Sequence, residues 1–208
     1  MTTLELLLLD CSPRRDGSTS RHLTRQLLPA LSARFGRPVR ITQRNLGSEP
    51  LPAITAEYAE SLLLPADDAK ARYGDALAVS DELIRELETT DALWISTPVH
   101  NFTVPAVLKN WIDLVVRKGV TFTTTDDGKF GLLRDRPTFV AVTSGGAMFR
   151  EPPVQPDFFR PYLSAVLGVI GITDITYLSA TSLAGADAPL ERVEADANRY
   201  VDGALQPQ

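Results

Sequence analysis

The feature that most restricts the fold of this chain is a regular alternation of short apolar runs with helical patterns. The runs are uninterrupted, as in strands of a parallel sheet that helices cover on both faces. They span residues 4–9, 39–46, 92–98, 137–143 and 174–180. This succession predicts an α/β fold, a doubly wound parallel sheet of five strands.

Helical patterns lie between these runs, at residues 20–35, 75–90, 104–118 and 156–171, and a last helix is predicted at 188–205. In the third of these helices, Val107, Leu108, Trp111, Ile112 and Val115 fall on one broad face. Residues 47–74 are too long for a plain loop and contain a pattern for a short helix around 55–63. We therefore expect one domain over residues 1–208, with an insertion at about 47–74.

Composition narrows the classes of partner. The 21 Lys and Arg residues against 26 Asp and Glu residues give a formal charge of −5, which does not favour a nucleic-acid partner. A single cysteine cannot form an internal disulfide, which fits a reducing compartment. The longest apolar stretch, YLSAVLGVIGI, is shorter than the roughly 20 residues that cross a bilayer. We expect a cytoplasmic protein without a membrane partner.

The loop after the first strand, DCSPRRDGSTS, permits several interpretations. A cysteine nucleophile with the spacing C-x5-R would need an arginine at position 17, where the chain has Gly17. The glycine patterns of dinucleotide-binding and P-loop proteins are also absent. Two interpretations remain open: Ser18, Thr19 and Ser20 hold a phosphate at the start of a helix, or one serine only caps that helix.

Two further loops are expected at the same edge of the sheet. With the strand order 2-1-3-4-5, the order reverses between the first and third strands, where open α/β sheets bind ligands. Residues 12–20 and 98–102 would then meet, and Gly145 and Gly146 would let a flat ligand approach the backbone. Such a site has the size for a nucleotide and favours FMN. Each part also has an ordinary explanation, with Asn101 in a turn, Phe102 in the core and Gly145 in a tight loop.

The segment PVHNFTVPAVLKNWIDLVVRKGVTF, residues 98–122, resembles the FMN-dependent NADH:quinone oxidoreductases, also called FMN-dependent azoreductases. SDELIRELETTD and PYLSAVLGVIGITDI carry the same resemblance. It implies a flavodoxin-like homodimer with one FMN per subunit, NADH as electron donor, and a quinone or azo compound as acceptor in a ping-pong reaction. The alternative is a flavodoxin-type FMN electron carrier that does not turn over NADH.

By position, the resemblance implies twelve cofactor-binding residues. Those at the phosphate are Ser12, Ser18, Thr19 and Ser20; those along the flavin ring are Val99, His100, Asn101 and Phe102; those at the pyrimidine end are Ser144, Gly145, Gly146 and Ala147. At residues 99–102 relatives often have Met-Tyr-Asn-Phe, whereas this chain has Val-His-Asn-Phe. At residues 144–147 relatives have Ser-Arg-Gly-Gly, whereas this chain has Ser-Gly-Gly-Ala. It also has Thr124 and Val166 where relatives can carry aromatic residues.

We expect neither a catalytic side chain nor a metal site in this chain. His100 either donates a proton to the acceptor or serves as a spacer whose backbone binds. Cys11 is expected to act as a small hydrophobic residue, and Lys109 and Arg117 as solvated charges. The partner subunit is expected to contribute an apolar wall from Phe122, Phe130 or Phe158.

Overall fold

The computed structural model describes residues 2–14, 18, 20–22, 24–25, 28–29, 36–146, 148–149 and 152–180. The predicted last helix at 188–205 lies outside the described residues. Of the predicted helix at 20–35, the residues 20–22, 24–25 and 28–29 are described, and these are helical.

The main sheet has five parallel strands, as the uninterrupted apolar runs predicted. They are β1 (Leu4–Asp10), β2 (Val39–Arg44), β3 (Ala92–Pro98), β6 (Thr138–Thr143) and β7 (Ile175–Ala180). The register places Asp10 beside Ser96 and Pro98 beside Thr143. Between β3 and β6 the chain forms a separate antiparallel hairpin of β4 (Phe122–Thr125) and β5 (Gly128–Gly131).

The strand order is β2-β1-β3-β6-β7, so the order 2-1-3-4-5 predicted from the sequence is wrong as numbered. The sequence analysis missed the β4–β5 hairpin, whose two strands take the fourth and fifth places in the chain. Each of these strands has only four residues, too few for a periodic pattern to stand out.

The helices with described bounds are α1 (Ala56–Ser61), α2 (Ala66–Thr89), α3 (Ala106–Val115) and α4 (Phe159–Val169). The short helix predicted around 55–63 is confirmed as α1. Helix α2 begins nine residues before the predicted start at 75, within the stretch that was assigned to the insertion. The chain passes through that region with a single non-helical residue, Tyr73, at φ −128°.

Both faces of the sheet are buried at β1, β3 and β6, which explains the apolar runs of these strands, whereas four of the six residues of the edge strand β2 are exposed. One face carries Leu7, Leu9, Ile95 and Val140 and shares a core with α2, α3 and α4. The other face carries Leu8, Trp94 and Phe139; the rings of Trp94 and Phe139 stack at 5.8 Å. Trp94 also donates a hydrogen bond to Thr24 Oγ1 at 2.9 Å. None of the helices among the described residues has the length and apolar character needed to cross a bilayer.

Arg117 is not the solvated charge that the sequence predicted. Its side chain is only 5% exposed and donates to Asp81 Oδ1 at 2.6 Å and to Ser80 Oγ at 3.0 Å. Burial alone would raise the pKa of Asp81, but hydrogen bonds from Lys70 and Arg117 outweigh it and lower that pKa. Lys109, by contrast, is exposed and pairs with Asp113 one helical turn away.

Arg117→Ala is expected to lower the free energy of unfolding by about 2–4 kcal/mol, because it removes the buried partner of the Asp81 carboxylate and leaves it only the exposed Lys70. Lys109→Ala is the control, and its effect should stay within about 0.5 kcal/mol because the ion pair it breaks is exposed. Urea unfolding followed by circular dichroism measures both. Equal effects of the two substitutions would contradict a structural role for the Arg117–Asp81 pair.

Candidate functional site

The candidate site lies at the carboxyl ends of β1, β3 and β6. The chain leaves β1 toward β2 on one side and returns to β3 on the other, so the order of strands reverses between β1 and β3. Hydrogen bonds join the loops that follow these strands to the neighbouring strands: Cys11 N–H donates to the Ser96 carbonyl, and Val99 N–H to the Thr143 carbonyl, each at 2.8 Å. Three loops therefore leave the sheet side by side.

The first loop is held at Ser12. The N–H of this buried residue donates to Asp10 Oδ1 at 3.1 Å, and its hydroxyl accepts from Arg14 N–H at 3.3 Å. Gly47, after β2, donates its N–H to the Asp10 carbonyl at 3.0 Å. A Cβ on Gly47 would overlap the Ser12 carbonyl, so only glycine fits there. The sequence analysis placed Gly47 in an insertion and missed this contact.

Ser18 and Ser20 are both buried, and their hydroxyl oxygens lie 3.2 Å apart. Ser18 caps the helical residues that follow: its Oγ accepts from Arg21 N–H at 3.3 Å and its carbonyl from His22 N–H at 3.0 Å. The capping interpretation thus holds for Ser18. The Ser20 hydroxyl, which is paired with the Ser18 hydroxyl, takes no part in the cap, and the phosphate interpretation applies to it. Thr19 lies outside the described residues.

The second loop is a tight turn. His100 N–H donates to the Thr103 carbonyl and Thr103 N–H to the His100 carbonyl, each at 3.0 Å. Between them Asn101 and Phe102 have φ of 48° and 70°, the only positive values at non-glycine residues in the described part of the chain. A bulky residue is costly in this conformation, and Phe102 is 43% exposed. Its assignment to the core is therefore wrong, and the turn holds Phe102 in a strained backbone conformation.

The turn also limits what His100 can do. Its backbone N–H and carbonyl are both taken by Thr103, while its side chain is exposed. A spacer whose own N–H binds a ligand is therefore not available at this position. The group that His100 presents at the edge of the site is its imidazole ring.

The third loop begins at Ser144, a buried residue whose hydroxyl accepts from Gly146 N–H at 3.1 Å. The Gly146 N–H is therefore already bonded within the loop, although the sequence analysis assigned Gly146 to binding the cofactor. Gly145 is exposed, and its N–H has no acceptor among the described residues. The Gln155 side chain covers Gly146 closely. Ala147 lies outside the described residues.

Ser96 adds a polar group that the sequence analysis did not single out. Its hydroxyl is buried and, within the described part of the chain, has no hydrogen-bond partner. Ser96 is beside Asp10 in the register and two residues from Trp94, so it shares the face that Trp94 presents to Thr24. Buried polar groups are almost always paired in native proteins, so an orphaned hydroxyl beneath this rim fits a site built for a polar ligand.

The residues at the rim fit FMN. Buried hydroxyls at the start of a helix suit its phosphate. The exposed turn with a left-handed Phe102 and the exposed Gly145 of the third loop suit a flat ring. Asp10 and Arg21, which the sequence analysis missed, form an ion pair at the base of the first loop. The sequence feature that could have revealed this ion pair is the carboxylate of Asp10 at the end of an apolar strand. Among the described residues no group of His, Cys, Asp and Glu side chains is arranged to hold a metal ion.

Cys11 lies fully buried in the core below the first loop. Burial raises the pKa of its thiol well above the ordinary value, and the negative charge of Asp10 raises it further. The thiol therefore stays protonated at neutral pH and behaves as a small hydrophobic group, as the sequence predicted.

Comparison with known proteins places this geometry in context. A family model described as flavodoxin-like fold matches residues 5–203. FMN-dependent NADH:quinone oxidoreductase 5 of Burkholderia lata is 43% identical over 188 residues, which cover 90% of this chain and 90% of the relative. FMN-dependent NADH:quinone oxidoreductase 4 of Pseudomonas fluorescens is 45% identical over 175 residues, covering 83% and 82%.

Among solved structures, an FMN-dependent NADH-azoreductase from Bacillus anthracis in complex with FMN superimposes with a TM-score of 0.79. The superposition covers 97% of each chain at 22% identity, so it concerns the fold alone. The chain is thus a flavodoxin-like protein. Within that fold it belongs to the family of the FMN-dependent NADH:quinone oxidoreductases.

Phe102→Gly is expected to raise the free energy of unfolding by about 1 kcal/mol, because glycine adopts a left-handed backbone without strain. Phe158→Gly is the matched control: Phe158 is also exposed but has φ −99°, so the same substitution should destabilise by about 0.5–1 kcal/mol. Chemical unfolding without flavin measures both. A loss of stability at Phe102 equal to that at Phe158 would show that the turn is not strained.

Proposed function

We propose that this chain is an FMN-dependent oxidoreductase that passes two electrons from NADH to quinones and azo compounds. The observation that carries the proposal is the meeting of three loops at the β1–β3 switch point, with buried hydroxyls on one side and an exposed strained turn on the other. The names and the identity of the relatives support the same activity.

The proposed cofactor contacts follow the three loops. Ser12, Ser18, Thr19 and Ser20 bind the phosphate; Val99, His100, Asn101 and Phe102 lie along the ring; Ser144, Gly145, Gly146 and Ala147 surround the pyrimidine end. The burial of Ser18 and Ser20 supports the first group, and the exposed turn supports the second. At the third, Gly145 is the backbone donor that remains for the negative charge that develops there, since Gly146 donates to Ser144.

When bound, FMN supplies the chemistry of accepting a hydride and passing on two electrons, and the chain supplies position and field. No side-chain acid or base is needed for that, so we assign no catalytic residue. NADH and the acceptor would use the same exposed side of the site in turn. Initial-rate plots should therefore give the parallel lines of ping-pong kinetics.

The test of the function is an anaerobic titration of the purified protein reconstituted with FMN. Addition of NADH is expected to bleach the absorbance near 450 nm within seconds, and a benzoquinone should restore it in a second step. Bound FMN whose spectrum NADH leaves unchanged would instead favour a flavodoxin-type electron carrier. A protein that does not retain FMN would contradict both functions.

We further propose that two copies of the chain form a homodimer. An apolar groove of about 340 Å³ lies between α1, α3 and α4, with Leu62, Ile112 and Val166 among its walls. Leu62 is exposed at its edge, and Val166 is one of the positions where relatives can carry an aromatic residue. The sequence analysis expected the partner subunit to contribute an apolar wall from Phe122, Phe130 or Phe158. Phe122 is buried, so the proposed wall is Phe130 or Phe158, which are exposed.

Light scattering after size exclusion is expected to give about twice the chain mass of 22.7 kDa. Leu62→Glu, which puts a charge in the groove, should halve that mass, whereas Gln43→Glu on the exposed edge strand β2 should not. A wild-type mass of one chain would contradict the dimer, and a dimeric Leu62→Glu variant would move the interface elsewhere.

A further inference from the structure

An ion pair at the base of the first loop has no assigned role. Asp10 ends β1, and its carboxylate is 4% exposed; the Arg21 side chain, from the helical residues beyond the serines, is 21% exposed. Arg21 Nε donates to Asp10 Oδ2. A buried carboxylate is strongly unfavourable without such a partner, so the position of Arg21 is fixed by the charge of Asp10.

The pair also holds the backbone of Ser12 from both sides. Asp10 Oδ1 accepts from the Ser12 N–H at 3.1 Å, while Arg21 Nη2 donates to the Ser12 carbonyl at 3.3 Å. The backbone N–H of Arg21 in turn donates to Ser18 Oγ. Arg21 thus connects Ser18, at the start of the helix, with Ser12, which follows the strand.

The Asp10–Arg21 ion pair also affects the electrostatic potential at the first loop. A phosphate monoester carries between one and two negative charges at neutral pH, and Asp10 would repel it through the weakly screening interior beside the loop. Arg21 cancels the charge of Asp10 at close range. The buried hydroxyls of Ser18 and Ser20 can then attract the phosphate without an opposing field.

We propose that Arg21 is a positioning residue for the FMN phosphate, which it serves by neutralising Asp10 and fixing Ser12. This role rests on the proposed function, because it assumes that the loop binds FMN. It predicts that Arg21 matters for a flavin that carries a phosphate and not for one that lacks it. Riboflavin, which has the same ring and ribityl chain without the phosphate, is therefore the discriminating ligand.

The experiment measures the dissociation constants of FMN and riboflavin for the full apoprotein by quenching of flavin fluorescence. Arg21→Gln is expected to weaken FMN at least 100-fold and riboflavin less than threefold. The double variant Asp10→Asn/Arg21→Gln removes the charge of Asp10 as well, and FMN affinity should recover about tenfold. Arg40→Gln breaks the exposed Arg40–Glu5 pair on β1 and β2 and should change neither constant more than twofold.

Equal losses for FMN and riboflavin would overturn the proposal, because they would show a general structural role; so would unchanged FMN affinity or no recovery in the double variant. If Arg21→Gln does not fold by circular dichroism, the double variant, which buries no lone charge, decides alone. It should then bind FMN about tenfold more weakly than wild type with riboflavin unaffected, and wild-type FMN affinity would overturn the role. A wild-type protein that binds neither flavin overturns the proposed function itself, and this role with it.

Discussion

The pairing of β1 with β3 determines where every part of the site can lie. Because these strands run parallel and in register from Leu6 beside Ala92 to Asp10 beside Ser96, their carboxyl ends finish at the same height. The loops that follow must then start next to each other, and the pairing of β3 with β6 adds the third. This pairing in turn requires apolar side chains on both faces of β1 and β3, since helices cover the sheet on either side.

Local conformations and contacts at the rim of the sheet, where β1, β3 and β6 end, are less favourable than those in its interior. Inside, strands and helices pack apolar side chains in ordinary conformations. At the rim, Phe102 has a left-handed backbone that is unfavourable for it, and Asp10 keeps a carboxylate out of water. The buried Ser96 hydroxyl there has no hydrogen-bond partner among the residues that the structure describes. Each of these is unfavourable by itself, and the stable core beneath allows them to coexist. Such a concentration of unfavourable local features is typical of binding sites.

How much could be predicted from the sequence depended on whether the deciding contacts were local. Apolar runs identified β1, β3 and β6 because burial on both faces leaves a continuous pattern, whereas the edge strand β2 is mostly exposed and has the mixed sequence VRITQR. The first nine residues of α2 were missed because they were assigned to the insertion at about 47–74. The β4–β5 hairpin was missed because its strands are short. Arg117 was misjudged because its partner Asp81 is 36 residues away in the chain.

In the candidate site, too, local features could be predicted from the sequence and contacts between distant residues could not. The three loops could be located from strand ends and a family resemblance, whereas the contacts of Gly47 with Ser12 and of Arg21 with Asp10 could not. Both join residues from different parts of the chain, and no periodicity records them. The conformation of Phe102 was equally hidden, because phenylalanine is not a residue from which a left-handed turn would be inferred.

The contact of Gly47 with Ser12 makes the first loop sensitive to a remote change of a single carbon atom. A methyl group at position 47 would push against the Ser12 carbonyl, the same oxygen that Arg21 binds. The displacement would pass from the connection after β2, through one peptide group, to the beginning of the helix. Evolution can therefore lengthen, shorten or remodel the segment that follows β2 only beyond this glycine, and the point of attachment itself is not free to vary.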